Sequence, residues 1–455
     1  MISRITRAAL IAAALLGAGP AHADFAAALR DYQAGRYDAA HAQFLGLAEL
    51  GDCSSQFNLG AMTLKGQGGP KDTAGGVGWL QAAAANGCGQ LVGDRLAALS
   101  AKLTPDESRA AAGIVARYGP EALHAEGVVN PDFTCHDSTP ASVLSAPVAE
   151  YPTRTRGPRQ EALVITALTI GTDGHARDPE ILLAVPRPEF AAAAIEAWMN
   201  SLFTPARRGG EPVQSRLQAK TRFTVAGGTL ANAEAFKVAR PAADAGNPAA
   251  RYLVGLTATL DSSLGISYAR AGQLLIGAAR DGDSGAQYWV GSQLRATAAC
   301  HPRADGALWL RHAADGGSAA AQLLLAGDLL NGSPAVAQAA QARALLEKAA
   351  GSDSYYVGKH VVALLAASPV EAVRDAATAM SVAARLAAGE IQSDPQMFEA
   401  VAAAYAANGD FPNAVAQQQL AVRKAQLLGW NLHAMRERLR AYGDGRPWRG
   451  DLFAP

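Results

Sequence analysis

Gly246-Asn247-Pro248-Ala249-Ala250-Arg251-Tyr252-Leu253-Val254-Gly255 is answered by Gly282-Asp283-Ser284-Gly285-Ala286-Gln287-Tyr288-Trp289-Val290-Gly291, and the phase continues at Gly317 with Ala321-Gln322-Leu323-Leu324. The spacing is 36 residues from Gly246 to Gly282 and 35 from Gly282 to Gly317, the period of stacked helical hairpins. Units close on Ala-Ala-x-x-Gly, as in Ala278 to Gly282 and Ala313 to Gly317. Small side chains there let helices approach, and the glycine takes the left-handed turn between hairpins. One hairpin cannot bury its own apolar flank, so stacking into an α-solenoid is expected.

The composition agrees. Of 455 residues, 49% are apolar, 6% aromatic and 18% charged, enough apolar surface to exclude wholesale disorder. Ala and Leu dominate the apolar share and favour helices. At roughly 150 residues per domain the length suggests about three domains. Forty basic residues balance forty acidic ones for a net charge of +0, which leaves no field to attract nucleic acid or an anionic membrane surface. Arg4, Arg7, the apolar run Ala8 to Ala18 and the small residues of Ala21-His22-Ala23 predict an export leader at 1–23, removed before Asp24. Its run is too short to span a bilayer, so no membrane insertion of the mature chain is expected.

Residues 148–226 break the helical period. Ala162 to Ile170 is rich in β-formers and ends at Thr172-Asp173-Gly174, a hairpin-turn signal, from which Ile181 to Val185 can return. Phe190, Ala194, Trp198 and Leu202 are four apart and predict one helix face. Leu217, Ala219, Thr221, Phe223 and Val225 alternate with Arg216, Gln218, Lys220 and Arg222, which predicts a strand with one dry face and one wet, basic face.

Two resemblances follow. Gln56-Phe57-Asn58-Leu59-Gly60, Gly66-Gln67-Gly68, Lys71-Asp72 and Trp79 to Gly87 resemble a Sel1-like repeat. Ala28 to Phe44, and Val401 to Ala421 with Tyr405, Gly409-Asp410-Phe411, Ala414 and Ala421, resemble the parent tetratricopeptide repeat. The charged tail Arg436 to Trp448 suits a solenoid cap. Between the helical blocks, Tyr151-Pro152, the strand ending at Asp173-Gly174, the helix carrying Trp198, Phe203-Thr204-Pro205-Ala206, Gly210-Glu211-Pro212-Val213 and the strand closing at Phe223 resemble the C-terminal domain of TonB-family energy transducers. That resemblance implies a small sheet packed on a helix, whose last strand, here Ser215 to Val225, offers an edge to an extended peptide of an outer-membrane transporter. Tyr151, Pro152, Arg216, Gln218, Lys220 and Arg222 are the implied β-edge contacts. The bacterial periplasm is the implied compartment. The family's retained membrane anchor and long Pro-rich spacer are not apparent, so binding is carried over and energy transduction is not.

The expected architecture is mainly α, with Sel1/TPR-like solenoid segments flanking a small α+β domain. The expected division is a leader 1–23, TPR/Sel1-like repeats 24–137, a linker 138–147, the TonB C-terminal-like domain 148–226, Sel1-like repeats 230–365, and TPR-like repeats with a cap 366–455.

No catalytic, cofactor or metal-binding residues are expected. Gly282-Asp283-Ser284-Gly285 mimics a protease nucleophile turn, but Gly282 is in register with Gly246 and Gly317, and a serine nucleophile needs an adjacent base and an orienting acid. Gly66 to Lys71 lacks the preceding strand of a phosphate loop. Cys53, Cys88, Cys135 and Cys300 favour disulfides after export. Cys53 with Cys88 is the expected pair, although helix axes 8–10 Å apart are wide for a bridge that wants Cα atoms within about 7 Å. The Cys135-His136 and Cys300-His301 pairs lack spacing that specifies a metal. Trp79, Trp289 and Trp309 read as core.

The expected function is a non-enzymatic periplasmic scaffold. It binds protein, peptide or cell-wall partners, such as an outer-membrane transporter or peptidoglycan, through a repeat groove and a sheet edge. Two alternatives stand beside it: a β-lactam-binding or hydrolysing Sel1-type enzyme, although the cysteines do not recur once per repeat, and an atypical energy transducer if the leader is retained.

Overall fold

A computed structural model describes residues 25–453 apart from 130, 134, 136, 153–160, 225–230, 299 and 301–305. The expected leader, with its cleavage site, lies outside the described residues, as do His136 and His301. Among the described residues no helix is long and apolar enough to cross a membrane. The chain forms two compact units that interleave in sequence: Met1–Cys135 with Ala239–Ser318, and His136–Val238 with Ala319–Pro455. The stretch 230–365, read from sequence as one block, is thus divided at Ser318.

Unit one is helical throughout its described residues, and one local device recurs in it. Gly51, Gly246 and Gly282 adopt φ of +82°, +97° and +93°, a region costly for any residue with a Cβ. Five residues beyond each glycine a buried or half-buried polar side chain reaches back across the turn. Gln56 donates to the Ala48 carbonyl at 3.0 Å, Arg251 to Ala243 at 3.1 Å, and Gln287 to Ala279 at 3.0 Å. Each carbonyl belongs to the last turn of the preceding helix, where backbone acceptors have no intrahelical partner. The next helix begins on a side-chain cap: Asp52 accepts from the Ser55 N–H, Asn247 from Ala250 and Asp283 from Ala286. The motif therefore ends one helix and starts the next with few unsatisfied groups.

The glycine that closes each quoted stretch has a second purpose. A Cβ on Gly60, Gly255 or Gly291 would lie 2.9–3.1 Å from backbone oxygen of the following helix and 2.9 Å from a leucine on it. Each hairpin can close only because that position is bare. Trp79, Trp289 and Trp309 are buried beside these contacts.

Two disulfides tie unit one. Cys53–Cys88 has a Cα separation of 5.6 Å. Cys53 opens helix Cys53–Lys65, and Cys88 follows helix Thr73–Ala83 through the turn Ala84–Cys88. The bridge therefore joins converging hairpin ends, where the axial spacing of packed helices does not apply. Cys135–Cys300, Cα atoms 5.8 Å apart, spans 165 residues. With the Trp309 indole donating to the Gly127 carbonyl at 3.2 Å, it brings 239–318 onto the N-terminal helices.

Unit two contains the strands. The segment 138–147, read as a linker, instead forms β1 (Ser138–Thr139) and β2 (Ser142–Ser145). They continue into β3 (Ala162–Ile170), β4 (Ala176–Val185), helix Phe190–Met199, β5 (Leu202–Thr204), β6 (Ala206–Arg208), β7 (Glu211–Val213) and β8 (Ser215–Phe223). All pairing is antiparallel: β4-β3-β8 form the main sheet, β1-β6-β7 a second, and β2 pairs β5. Gly174, at φ +78°, turns β3 into β4 as its Asp-Gly signal predicts. The helix stops at Met199, so Leu202 is not on its face; it lies in β5, 44% exposed.

β3 is buried on both faces: Val164, Thr166 and Leu168 on one, and Leu163, Ile165 and Ala167 on the other, are all at most 1% exposed. Helix Phe190–Met199 covers the first, where the Trp198 indole donates to Thr221 at 2.9 Å. On the second, the Arg216 guanidinium of β8 lies over the Tyr356 ring of helix Tyr355–Ala367 in the C-terminal helical block. One apolar core runs from Leu168, Ile195 and Ala219 into Val357, Val361 and Phe398 of that block.

The glycine-glutamine lock gives a direct test. Gln287→Ala removes one buried hydrogen bond to the Ala279 carbonyl, which keeps the Gly282 N–H, and is expected to lower unfolding stability by about 0.5–1.5 kcal/mol. Gln273→Ala, on the exposed side of helix Tyr268–Arg280, stays within about 0.5 kcal/mol. Urea denaturation of both variants measures the difference.

Candidate protein-interaction site

The sheet-edge residues proposed from sequence do not share one environment. Arg216, Gln218, Lys220 and Arg222 alternate onto one face of β8, as their period requires, but only Arg222 is exposed. Arg216 is ion-paired with Glu180 of β4, itself 5% exposed, across the intervening β3. Its guanidinium also lies 5.8 Å from the Tyr356 ring centre. The face expected to be wet is therefore largely covered. Alternation separates the faces of a strand, and it carries no record of what later covers each. Lys220 is half-buried; burial, then the neighbouring charge of Arg222, lowers its ammonium pKa. Tyr151 packs edge-on against Phe190 at 5.4 Å and Phe223 at 6.3 Å, so its ring belongs to the domain's own core. Pro152 lies beside helix Phe190–Met199.

Among the described residues β8 is the outer strand of the main sheet on one side and β4 on the other. The β4 side is engaged. Between Ala167 and Thr169 the β3–β4 register slips, and Asp178 falls in the slip with φ +49°, the left-handed conformation Asp tolerates better than most residues. A bulge of this kind re-aims a side chain. Here it delivers the Asp178 carboxylate to Lys359 at 3.2 Å and His360 at 3.0 Å.

Lys359 is wholly buried. Its ammonium donates to Asp178, to Asp394 at 2.9 Å and to Gln396 at 2.7 Å, and Asp394 also accepts from the Tyr355 hydroxyl at 3.0 Å. Three acceptors use all three ammonium hydrogens. Burial opposes its charge, yet the Asp394 and Asp178 carboxylates outweigh burial and hold the Lys359 pKa above its ordinary value. Asp178 follows the same logic: burial works against ionisation, but Lys359 and His360 hold its carboxyl well below the usual range. Burial and the Asp394 charge push Tyr355 far up. A lysine kept protonated is not a nucleophile, so this cluster is an anchor. Sequence reading missed it; the available signal was Asp178-Pro179, because proline inside a strand flags a bulge.

A second contact holds helix Phe190–Met199. Glu196 accepts from the N–H of Ser393 at 2.8 Å, and also from the Ser393 hydroxyl and the Gln392 N–H. The domain is thus bound to the C-terminal helices at β4 and at its own helix, while β8 remains at the rim of the sheet.

This architecture, a three-stranded antiparallel sheet on one helix with β8 last in order, covers the segment that a family comparison detects. Residues 147–225 match the Gram-negative bacterial TonB protein C-terminal. The matched segment is a TonB C-terminal-like domain, and such a domain points to a protein-interaction role in the cell envelope, where domains of this kind meet proteins such as outer-membrane transporters. No curated protein matches the chain. Elsewhere, Asp283 of Gly282-Asp283-Ser284-Gly285 caps helix Ser284–Ala296, and the sulfurs of Cys135 and Cys300 are bonded to each other.

Removing the cation of the anchor leaves Asp394 buried and unpaired. Lys359→Met is expected to destabilise the protein by about 3–5 kcal/mol, and adding Asp394→Asn restores part of the loss, read by chemical denaturation. The acid limb follows from Asp178. Its folded pKa is depressed, so its stabilisation is present above the unfolded value near ~3.9 and is lost as pH falls below it. Asp178→Asn should flatten that limb of the stability–pH curve.

Proposed function

We propose that this chain is a non-enzymatic binding protein of the periplasm. Its TonB C-terminal-like domain takes an extended partner peptide along β8, and its helical hairpins, which we read as Sel1-like and tetratricopeptide repeats, hold further envelope partners. The observation that carries the reading is the placement of β8 at the outer edge of a sheet whose opposite edge is fixed by Asp178 and Lys359. An edge strand recognises an extended segment by main-chain hydrogen bonds, and it does so most effectively when it is already ordered. The two disulfides suit an oxidising compartment.

The periplasm-facing segment of an outer-membrane transporter is the leading partner class, and peptidoglycan is a second partner for the helical arms. The recurring glycines and capped helix starts support the repeat reading. The β-lactamase alternative finds no support in the cysteine placement, because Cys53–Cys88 closes one hairpin whereas Cys135–Cys300 joins distant segments.

Synthetic peptides from periplasm-facing transporter segments, added to the full chain, are expected to slow amide exchange along Ser215–Phe223. Peptide binding with protection confined to the helical arms contradicts the edge assignment. Nitrocefin turnover above the buffer rate contradicts the non-enzymatic reading.

A further inference from the structure

Helix Phe190–Met199 has a feature unrelated to β8. On its outer side, between the segment 147–152 and the turn at 388–392, lies a cleft of about 760 Å³, within the roughly 300–1,000 Å³ of ordinary ligand clefts. Its walls come from two segments more than 200 residues apart in sequence. The turn at 388–392 belongs to the C-terminal helical block, so the cleft exists only because the domain is fixed to that block.

The lining has two chemistries. Ala193 and the Tyr151 ring give an apolar surface, and Val148 at the mouth is 92% exposed. The same segment follows β2, where Val143 and Leu144 are 48% and 70% exposed. Around this apolar surface stand four carboxyl side chains, Glu150, Glu189, Glu196 and Glu390, and among the described residues the lining contains no Lys, Arg or His. Glu196 is engaged by the 392–393 backbone, although its charge still contributes to the field. Glu189 differs: its Oε2 is shielded from solvent and has no hydrogen-bond partner among the described residues. A shielded carboxylate oxygen without a donor is costly, and an incoming cation would supply the missing hydrogen bond.

We propose that this cleft is a second binding site, for an extended segment of a partner protein in which lysine or arginine alternates with aliphatic residues. The cations meet the glutamates and the aliphatic side chains lie along Val148 and Ala193. The alternation fits an extended chain, whose successive side chains point to opposite sides, so that one edge faces the carboxylates and the other the apolar lining. Charge complementarity selects the partner's sign and speeds encounter.

The test uses the full chain and a labelled, end-capped peptide, Lys-Val-Lys-Pro-Lys-Val-Lys, beside the same peptide with Glu for each Lys. Fluorescence anisotropy is read at about 20 mM and about 300 mM salt, where screening separates charge-driven binding from apolar binding. The lysine peptide is expected to bind and to weaken with salt, and the glutamate peptide is expected not to bind. Glu150→Gln with Glu189→Gln should weaken the lysine peptide at least about tenfold at an unchanged melting temperature. Val148→Lys, at an exposed position that cannot disturb the core, should weaken it comparably. No binding at low salt, equal binding of both peptides, or undiminished binding in both variants overturns the proposal. The cleft shares no residue with β8, so failure of the β8 assignment leaves this result unaffected.

Discussion

A fully buried ammonium is the constraint on which the second unit depends. Lys359 cannot be left dry without acceptors, and its acceptors come from two parts of the chain: Asp394 and Gln396 from the helical block, and Asp178 from the β4 bulge of the TonB C-terminal-like domain. Satisfying one side chain therefore requires the domain and the helices to be folded together. The apolar core agrees, since it runs from Leu168 and Ala219 of the sheet into Val357 and Phe398 without interruption. A buried ion pair is weak evidence for stability in itself. Here it determines register, because a one-residue slip of β4 would carry Asp178 to the opposite face.

The functional consequence is rigidity at the sheet. β3 is covered on both faces and β4 is fixed, which leaves β8 as an outer strand of the main sheet among the described residues. A peptide that adds to such a rim meets a strand already ordered, and the ordering cost falls on the peptide only. The same docking creates the acidic cleft, because helix Phe190–Met199 supplies one wall and the turn at 388–392 the other. Both proposed sites thus rest on the domain being part of one body with the helices.

Much of this was legible in the sequence where the cause is local. Gly246 and Gly282 marked helix boundaries because only glycine takes the left-handed turn cheaply, and Asp173-Gly174 marked the hairpin for the same reason. The Ala162–Ile170 strand and the helix with Trp198 followed from period. What escaped depended on distant partners. Ser138 to Pro147 reads as flexible from its Ser and Pro content, yet β1 and β2 pair with β6 and β5, more than fifty residues away. Leu202 continued the helical spacing but begins a strand, because periodicity locates a face and not its end. Arg216 looked solvent-facing because alternation is silent about a helix arriving from residue 355. Lys359 sits in an unremarkable helical run, and its Asp178 partner is 181 residues away.

Native-state hydrogen exchange on the intact protein is the most direct measure of whether the domain and the C-terminal helices are one body. Amides of β3 and of helix Tyr355–Ala367 should open with a common free energy and respond in parallel to denaturant. Exchange of the helix amides while β3 stays protected, or the reverse, would show two independently folding pieces and contradict the account.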